Sequence, residues 1–143
     1  MLEELTISPM PDTYGDAAAE YEAVRGDGAG LFDLSERGRL RVSGTEAVMF
    51  LNGLITNDMK TLNDGAWMRA ALPNPQGRVL AFLRVLRQGD EFLLDTEAAT
   101  AEKVSMLVGR YVFAGDFRVA NLTRSTSHFA VAGAQAGTIV SAV

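Results

Sequence analysis

The stretch that decides the fold is RLRVSGTEAVMFLNGLI, residues 39–55. Its first four residues alternate polar and apolar side chains, which is the pattern of a half-buried β-strand. After Ser43 and Gly44 the apolar side chains recur at helical spacing, which predicts an amphipathic helix. Thr45 is the predicted N-cap, because its hydroxyl can accept a hydrogen bond from an amide of the first turn. The stretch therefore predicts a strand, a glycine turn and a helix in direct succession.

Outward from this stretch, the same periodicities and the turn signals between them predict the other elements. Asp95 or Thr96 is the predicted cap of the second long helix. The predicted helices cover residues 16–25, 45–56, 97–111 and the chain after Gly133, and the predicted strands cover 30–34, 39–42, 66–72, 78–86, 91–94, 117–122 and 128–132. From residue 39 onward the order is β-α-β-β-β-α-β-β-α. This order predicts an α+β fold with ferredoxin-like split βαβ units, a mostly antiparallel sheet and helices packed on it.

A weak internal repeat accompanies this order. Residues 40–47 read LRVSGTEA, and residues 129–136 read FAVAGAQA. In both segments strand-like residues precede a glycine, and an alanine stands at the predicted helix start. Glycine permits a sharp backbone turn there. The similarity predicts a repeated strand, glycine and helix start, and it is too short to imply a shared function.

Composition excludes several kinds of function. The 143 residues carry a net charge of −5, and 48% of them are apolar, as expected for one globular domain with its own core. The chain has no cysteine, which excludes disulfides, thiolate metal sites and cysteine nucleophiles. The acidic balance argues against direct binding of nucleic acid, because phosphate neutralisation needs clustered Lys and Arg. His128 is the only histidine, and no spacing of acids predicts a metal site around it.

The two ends of the chain bear on its location and extent. Residues 1–10 lack the basic n-region of a signal peptide, and no apolar run approaches the ~20 residues that span a bilayer. These absences predict a cytoplasmic protein without a membrane partner. Residues 137–143 form an apolar segment without a cap or a polar tail. We therefore expect the amino-terminal part of a longer domain, cut before its downstream half, and a chain cut there can self-associate.

Polar residues at two places in the chain have more than one interpretation. Asp33 lies in a short apolar strand, where an unpaired carboxylate is costly to bury. We interpret Asp33 as an outward-facing or capping residue rather than as a ligand. Asn57 and Asp58 are predicted to end the helix of residues 45–56. The alternative for this pair is a polar corner that faces a ligand.

An ordered set of short motifs resembles a known family. Residues 30–35 read GLFDLS, residues 42–47 read VSGTEA, residues 56–58 read TND, and residues 75–80 read PQGRVL. This set resembles the opening of the glycine-cleavage T-protein (aminomethyltransferase) superfamily over roughly residues 21–133. Each piece is short, and their order makes the set fairly specific. The resemblance implies a fold of the T-protein folate-binding domain type, with tetrahydrofolate as the cofactor.

The strand after Gly77 separates the branches of that family. In true T-proteins this strand resembles the pattern G-G-x-x-D-D-L. An aspartate of that pattern supports methylene transfer to tetrahydrofolate. Ala81 and Phe82 stand at the two acidic positions, and neither side chain can exchange a proton. The sequence Gly77-Arg78 resembles the YgfZ-like branch instead. That resemblance implies a folate binder without an established transferase reaction, which supports iron-sulfur cluster assembly or repair and tRNA modification.

The resemblance also implies a folate site, with the pterin against an apolar pocket that carries a few polar groups. The residues expected to bind folate are Asn57, Arg78, Leu83, Leu93 and Asp95. Asp95 can accept hydrogen bonds from the pterin N–H groups, or it can cap the next helix. Arg78 can meet the glutamate tail of folate, or it can remain an ordinary surface cation. The implied partners are folate itself and iron-sulfur assembly proteins.

Two other functions remain open at this point. The first is an aminomethyltransferase, against which the residues at positions 81 and 82 argue. The second is a scaffold or interaction domain without a ligand. Titration with tetrahydrofolate distinguishes the scaffold from the two folate-dependent functions.

Overall fold

The computed structural model describes residues 11 and 13–143. The predictions for residues 1–10 concern positions outside this described part. Within it, no helix is long and apolar enough to cross a membrane. The chain divides into two units. The smaller unit contains the described residues up to Leu34 together with His128–Val143, and the larger unit is Ser35–Ser127.

The predicted helices and strands are present, with bounds that differ by no more than a few residues. In chain order the elements are α1 (Ala17–Arg25), β1 (Gly30–Asp33), β2 (Gly38–Ser43), α2 (Ala47–Leu54), β3 (Trp67–Pro73), β4 (Val79–Gln88), β5 (Glu91–Thr96), α3 (Ala98–Gly109), β6 (Arg118–Asn121), β7 (Phe129–Ala132) and α4 (Ala136–Ser141), with a turn of 3₁₀ helix at Met59–Thr61.

The larger unit is built on a five-stranded sheet in the order β3-β4-β5-β2-β6, in which each pair of neighbours is antiparallel. The segments β2-α2-β4 and β5-α3-β6 are the halves of a split βαβ arrangement. Strand β3 is an additional edge strand within the first connection. The predicted α+β class, the antiparallel sheet and the helices packed on it are confirmed.

One face of this sheet forms the core of the larger unit. Every second strand side chain is buried there, and the two helices add Leu51, Val104 and Val108 to the same cluster. The inward-facing strand residues are Leu40, Val42, Ala70, Leu72, Ala81, Leu83, Val85, Phe92 and Leu94. The alternate side chains of the same strands therefore point to the opposite face.

The turn between β2 and α2 differs from its prediction in the cap. Gly44 has φ +112°, and a Cβ there would overlap the carbonyl oxygen of Asp116. The predicted N-cap is wrong, because Glu46 holds that position and makes no side-chain cap hydrogen bond. The Thr45 hydroxyl instead donates to Asp116 Oδ2 at 3.0 Å. Thr45 is thus engaged by a residue 71 positions away, which a local capping rule does not consider.

Helix α2 ends at Leu54, before the predicted end at Asn57 and Asp58. Asp58 instead caps the 3₁₀ turn that follows, because its Oδ1 accepts from the Lys60 amide at 2.9 Å. The same oxygen accepts from Asn52 Nδ2 at 2.8 Å. The hydrogen bond from the Lys60 amide, and then the one from the Asn52 side chain, hold the pKa of Asp58 below its ordinary value.

Helix α3 begins at Ala98, and neither predicted residue caps it. Glu97 holds the N-cap position without a side-chain cap hydrogen bond. Asp95 and Thr96 still belong to β5. Thr96 is buried, and its hydroxyl donates to the carbonyl oxygen of Phe82 at 3.0 Å. The same hydroxyl lies 2.7 Å from the hydroxyl of Thr100 in the first turn of α3, so Thr96 joins β5 to both β4 and α3 without capping a helix amide.

The smaller unit is a two-stranded antiparallel sheet of β1 and β7 with helices α1 and α4. Asp16 caps α1 by accepting from the Ala18 amide at 2.9 Å. Asp33 is half-buried at the end of β1, opposite Phe129. Gly133 has φ +122° between β7 and α4, so the predicted repeat of strand, glycine and helix is present. None of the described residues of this unit is buried.

Candidate ligand-binding face of the five-stranded sheet

The candidate site is the sheet face of the larger unit opposite α2 and α3, here called the outer face. Phe82 is 71% exposed and Trp67 is 58% exposed, so large apolar side chains are accessible there. The side chains of the outer face include Trp67, Arg69 and Ala71 on β3, Phe82, Arg84 and Leu86 on β4, Glu91, Leu93 and Asp95 on β5, and Arg39 and Arg41 on β2, with Glu91 paired to Arg41. This surface therefore combines apolar groups with guanidinium groups.

Asp95 is the centre of an ion-pair network on the outer face. Its carboxylate oxygens accept from Arg37 Nε at 2.8 Å and from Arg37 Nη2 at 3.1 Å, which is a bidentate pair. Arg84 Nε donates to the same carboxylate from the neighbouring strand. Arg37 also forms an ion pair with Glu97. The side chain of Asp95 is only 14% exposed, so water competes little for these hydrogen bonds.

The network determines the ionisation of Asp95. Burial alone raises the pKa of the Asp95 carboxyl, but the hydrogen bonds and positive charges of Arg37 and Arg84 outweigh it and lower that pKa. The hydrogen bond to Asp95 correspondingly raises the pKa of Arg37. The lowered pKa of Asp95 and the raised pKa of Arg37 both favour the charged form, as expected for one ion pair. Asp95 is therefore an ionised acceptor at neutral pH and has no proton to donate.

The strand register aligns four charged residues in a row across the outer face. Arg69 lies opposite Arg84, Arg84 lies opposite Asp95, and Asp95 lies opposite Arg39. The guanidinium of Arg39 donates to backbone carbonyl oxygens of the larger unit. The side chain of Arg69 has no hydrogen-bond or ion-pair partner among the described residues. Arg69 is therefore the cation of this row that is available to a ligand.

The structure separates the expected folate residues of β4 and β5. Leu93 and Asp95 lie on the outer face. Leu83 is 2% exposed and faces the core with its neighbours Ala81 and Val85. A ligand on the outer face can therefore contact Leu93 and Asp95, whereas Leu83 lies on the other side of the sheet.

The other two expected residues lie in loops next to β3 and β4. Asn57 precedes β3, and its Nδ2 donates to the carbonyl oxygen of Arg69. Arg78 ends the hairpin loop between β3 and β4, where its amide donates to Asn74 Oδ1 at 2.8 Å. Asn57 thus holds the backbone at Arg69 in the row of charged residues. Arg78 directly precedes β4, at the end of that strand nearest Phe82.

The two positions that resemble the acidic pair of T-proteins face opposite sides of β4. Ala81 is 4% exposed and belongs to the core. Phe82 points to the outer face, two residues before Arg84. Only the side chain at position 82 can meet a ligand on that face. Phenylalanine offers such a ligand apolar surface and no proton.

Arg37, Arg69 and Trp67 were not identified from the sequence as site residues. A signal existed for the two β3 residues, because pairing β3 with β4 in the hairpin brings Arg69 opposite Arg84. Arg37 gave no local signal, since it lies in the turn before β2 and meets Asp95 58 positions later.

Comparison with known proteins gives consistent matches. The family model described as GCVT N-terminal domain matches residues 4–143. Two curated proteins named aminomethyltransferase, from Bacillus mycoides (strain KBAB4) and Bacillus cytotoxicus, are 33% and 32% identical over 135 residues. Each alignment covers 94% of this chain and 36% of the relative, so the chain spans about a third of the relatives' length.

A solved structure is similar as well. The glycine cleavage system aminomethyltransferase T from Bartonella henselae matches with a TM-score of 0.78 and 27% sequence identity. The match covers 87% of this chain and 34% of that chain. The mixed α+β architecture derived above is therefore the architecture of that part of the transferase.

Proposed function

This chain belongs to the GCVT N-terminal domain family, and on that basis we propose that its outer face binds tetrahydrofolate without catalysing methylene transfer. The domain is of the glycine-cleavage T-protein type. Within that type, we propose the role suggested by the resemblance to the YgfZ-like branch, which is folate binding without a transferase reaction. The observation that carries the non-catalytic proposal is Phe82. It stands on the outer face at one of the two positions where the T-protein pattern has an acid.

The acids near Phe82 do not replace a missing catalytic carboxylate. Proton transfer at neutral pH is most efficient when the pKa of the group lies near the working pH. The pKa of Asp95 is lowered by Arg37 and Arg84, which moves it away from that range. Glu97 is paired with Arg37. These two carboxylates are therefore suited to holding arginines in position rather than to acid–base chemistry.

The groups of the outer face fit a folate. A reduced pterin and its aminobenzoyl ring need apolar surface, which Phe82, Trp67 and Leu93 provide. The carboxylates of the glutamate tail need cations, and the guanidinium of Arg69 has no partner among the described residues. The pterin N–H groups need an acceptor, and they would share the ionised oxygens of Asp95 with Arg37 and Arg84. A bound folate would supply a one-carbon acceptor, and these residues would bind and orient it.

The second candidate is an aminomethyltransferase. The names of the similar proteins favour it, because the curated relatives and the solved structure are all aminomethyltransferases. The residues at positions 81 and 82 favour the non-catalytic proposal, because neither can accept a proton. An assay for methylenetetrahydrofolate formation from an aminomethyl-bearing donor separates the two. Turnover by this chain would replace the first proposal by the second.

The wider role follows the same resemblance. We propose a cytoplasmic protein that supports iron-sulfur cluster assembly or repair, or tRNA modification, with folate as the small-molecule partner and iron-sulfur assembly proteins as further partners. No direct contact with nucleic acid is expected at a net charge of −5. Co-purification of the chain with iron-sulfur assembly proteins from its own cells tests this part of the proposal.

Calorimetric titration with tetrahydrofolate tests the binding step. We expect saturable binding, and we expect Phe82→Ala to weaken it about fivefold, because the variant removes an exposed aromatic contact surface from the ligand face. Stability should change by no more than about 0.5 kcal/mol, since the side chain is exposed.

The matched control is Phe113→Ala. Phe113 is 97% exposed and lies outside the strands of the sheet, between α3 and β6. Its removal should leave the affinity unchanged. Absence of any tetrahydrofolate binding, or equal weakening by both variants, would contradict the outer face as the folate site.

A further inference from the structure

We propose that Arg69 and Arg84 form a carboxylate-binding pair that favours folates with more than one glutamate in the tail. The identity of the ligand rests on the proposed folate function, and the assignment of these two arginines is the additional step. The pair lies on the outer face, in adjacent strands and in direct register.

The first observation is the register that places two like charges opposite each other. Arg69 on β3 and Arg84 on β4 are directly opposite each other, with their side chains on the same face. Two like charges at opposite positions of an antiparallel pair destabilise a sheet. Asp95 already offsets the charge of Arg84, so an anion bound beside both arginines would supply the negative charge that Arg69 lacks. The arrangement is therefore better suited to a bound anion than to stabilising the sheet.

The second observation is the charge balance around the pair. Arg37 and Arg84 are neutralised by Asp95 and Glu97, through the hydrogen bonds of the network. Arg69 is left over, with no acidic partner among the described residues. The protein as a whole carries −5. A local excess of positive charge on an acidic protein attracts an anionic group to that place.

The third observation is what flanks the pair along the strands. Phe82 and Ala71 lie opposite each other on one side of it, and Trp67 and Leu86 lie opposite each other on the other side. Each flanking row is about 7 Å away, because two residues of a strand rise by that distance. An anion at the arginines is therefore bordered by apolar surface.

The occupant that matches this pattern is an aromatic ring joined to a short chain of carboxylates, as in the aminobenzoyl-glutamate part of folate. The ring lies over an apolar row and the carboxylates reach the arginines. The backbone is held for this purpose, because the Asn57 side chain donates to the carbonyl oxygen of Arg69. An acidic protein surface is the competing occupant, and it would not depend on the pterin ring.

The test is a calorimetric comparison of three ligands: tetrahydropteroate, which lacks glutamate, tetrahydrofolate with one glutamate, and tetrahydrofolate with three. For the unaltered chain we expect affinity to rise with each step, by about fivefold between one glutamate and three. The gain should shrink at high salt, since exposed charge pairs are screened. Arg69→Gln should abolish the gain and leave tetrahydropteroate binding as it was.

Arg124→Gln is the matched control, because it removes the same charge from an exposed loop position of the larger unit. It should preserve the preference for the longer tail. Urea denaturation should give Arg69→Gln a stability equal to or above that of the unaltered chain, because the side chain has no partner to lose among the described residues and the variant relieves the like-charge pair with Arg84.

The outcomes separate the two proposals. Equal affinity for all three ligands, or equal weakening of all three by Arg69→Gln, would overturn the tail-binding pair and leave folate binding in place. Failure of all three ligands to bind would contradict the proposed function, and the pair would fall with it. Binding of a triglutamate peptide as tightly as the triglutamate folate would identify an acidic peptide as the occupant and also overturn the assignment.

Discussion

The glycine turns at Gly44, between β2 and α2, and at Gly133, between β7 and α4, share one backbone solution. Their φ angles are +112° and +122°, in the region that favours glycine. In each turn the amide three residues after the glycine donates to the glycine carbonyl oxygen at 3.1 Å. In each turn a Cβ on the glycine would overlap a carbonyl oxygen of another segment, that of Asp116 or of Gly28.

The side chains of the two turns differ. At the first turn Glu46 Oε2 accepts from the Asp116 amide at 2.6 Å, and Asp116 Oδ2 accepts from the amide and hydroxyl of Thr45. At the second turn Ala134 and Gln135 occupy the corresponding positions and make no side-chain hydrogen bond within the described chain.

The first turn leads into a helix with buried residues, whereas the second leads into a helix with none. The comparison teaches that glycine and a neighbouring carbonyl oxygen suffice to make the turn. Side-chain hydrogen bonds are added where the helix that follows belongs to a core.

The largest difference between the turns is expected from Gly44→Ala and Gly133→Ala. Gly44→Ala forces a disfavoured φ and an overlap with the Asp116 carbonyl oxygen beside the core, so we expect a loss of about 3 kcal/mol in unfolding free energy. Gly133→Ala should change the main transition by less than about 1 kcal/mol, because its unit contains no buried described residue. Urea denaturation followed by circular dichroism measures both. Equal losses of unfolding free energy in the two variants would mean that the core next to the first turn does not increase the cost of the substitution.

A smaller difference is expected from the side chains after each glycine. Glu46→Ala removes the acceptor of the Asp116 amide and should cost about 1 kcal/mol. Gln135→Ala should cost no more than about 0.5 kcal/mol, since that side chain makes no hydrogen bond within the described residues. Glu46→Gln keeps an acceptor oxygen and should recover part of the loss. The same urea measurement checks all three, and a similar cost for Glu46→Ala and Gln135→Ala would remove the contrast between the turns.

The smallest expected effect is a pH dependence confined to the first turn. Hydrogen bonds from the amide and then the hydroxyl of Thr45 lower the pKa of Asp116. A carboxyl whose folded pKa is lowered contributes stability above its unfolded pKa, which is near 4, and loses that contribution as pH falls through the folded value. Asp116→Asn should therefore flatten the decrease of stability below about pH 4. Thermal melting from pH 3 to pH 7 measures the slope, and an unchanged slope in the variant would assign the acid sensitivity to other carboxyls.

The element order and the repeat were predictable because they depend on local periodicity. The caps were not, because long-range partners compete for the same side chains. Thr45 is engaged by Asp116, and Asp95 by Arg37 and Arg84, at separations that a capping rule does not consider. A polar side chain beside a helix start is therefore a weaker signal when a sheet strand can bring an opposite charge to it.

The candidate site was predictable in part for a similar reason. Leu93 and Asp95 are two residues apart on β5, so the strand period places them on one face. Leu83 was expected at the same site. Both alternating sets of side chains on β4 contain apolar residues, so the sequence of the strand does not reveal which set faces the helices. The pairing of β4 with β5 determines which set faces the core, because Leu83 lies opposite the buried Thr96.

Trp67 has a practical consequence for work on the outer face. It is the only tryptophan of the chain, and it lies on β3 two residues before Arg69. Its indole is more than half exposed. Excitation at wavelengths that tyrosine does not absorb therefore selects a single chromophore on the surface in question. A molecule that covers this surface would displace water from the indole and shift its emission to shorter wavelength, so the chain contains its own optical probe and needs no attached dye.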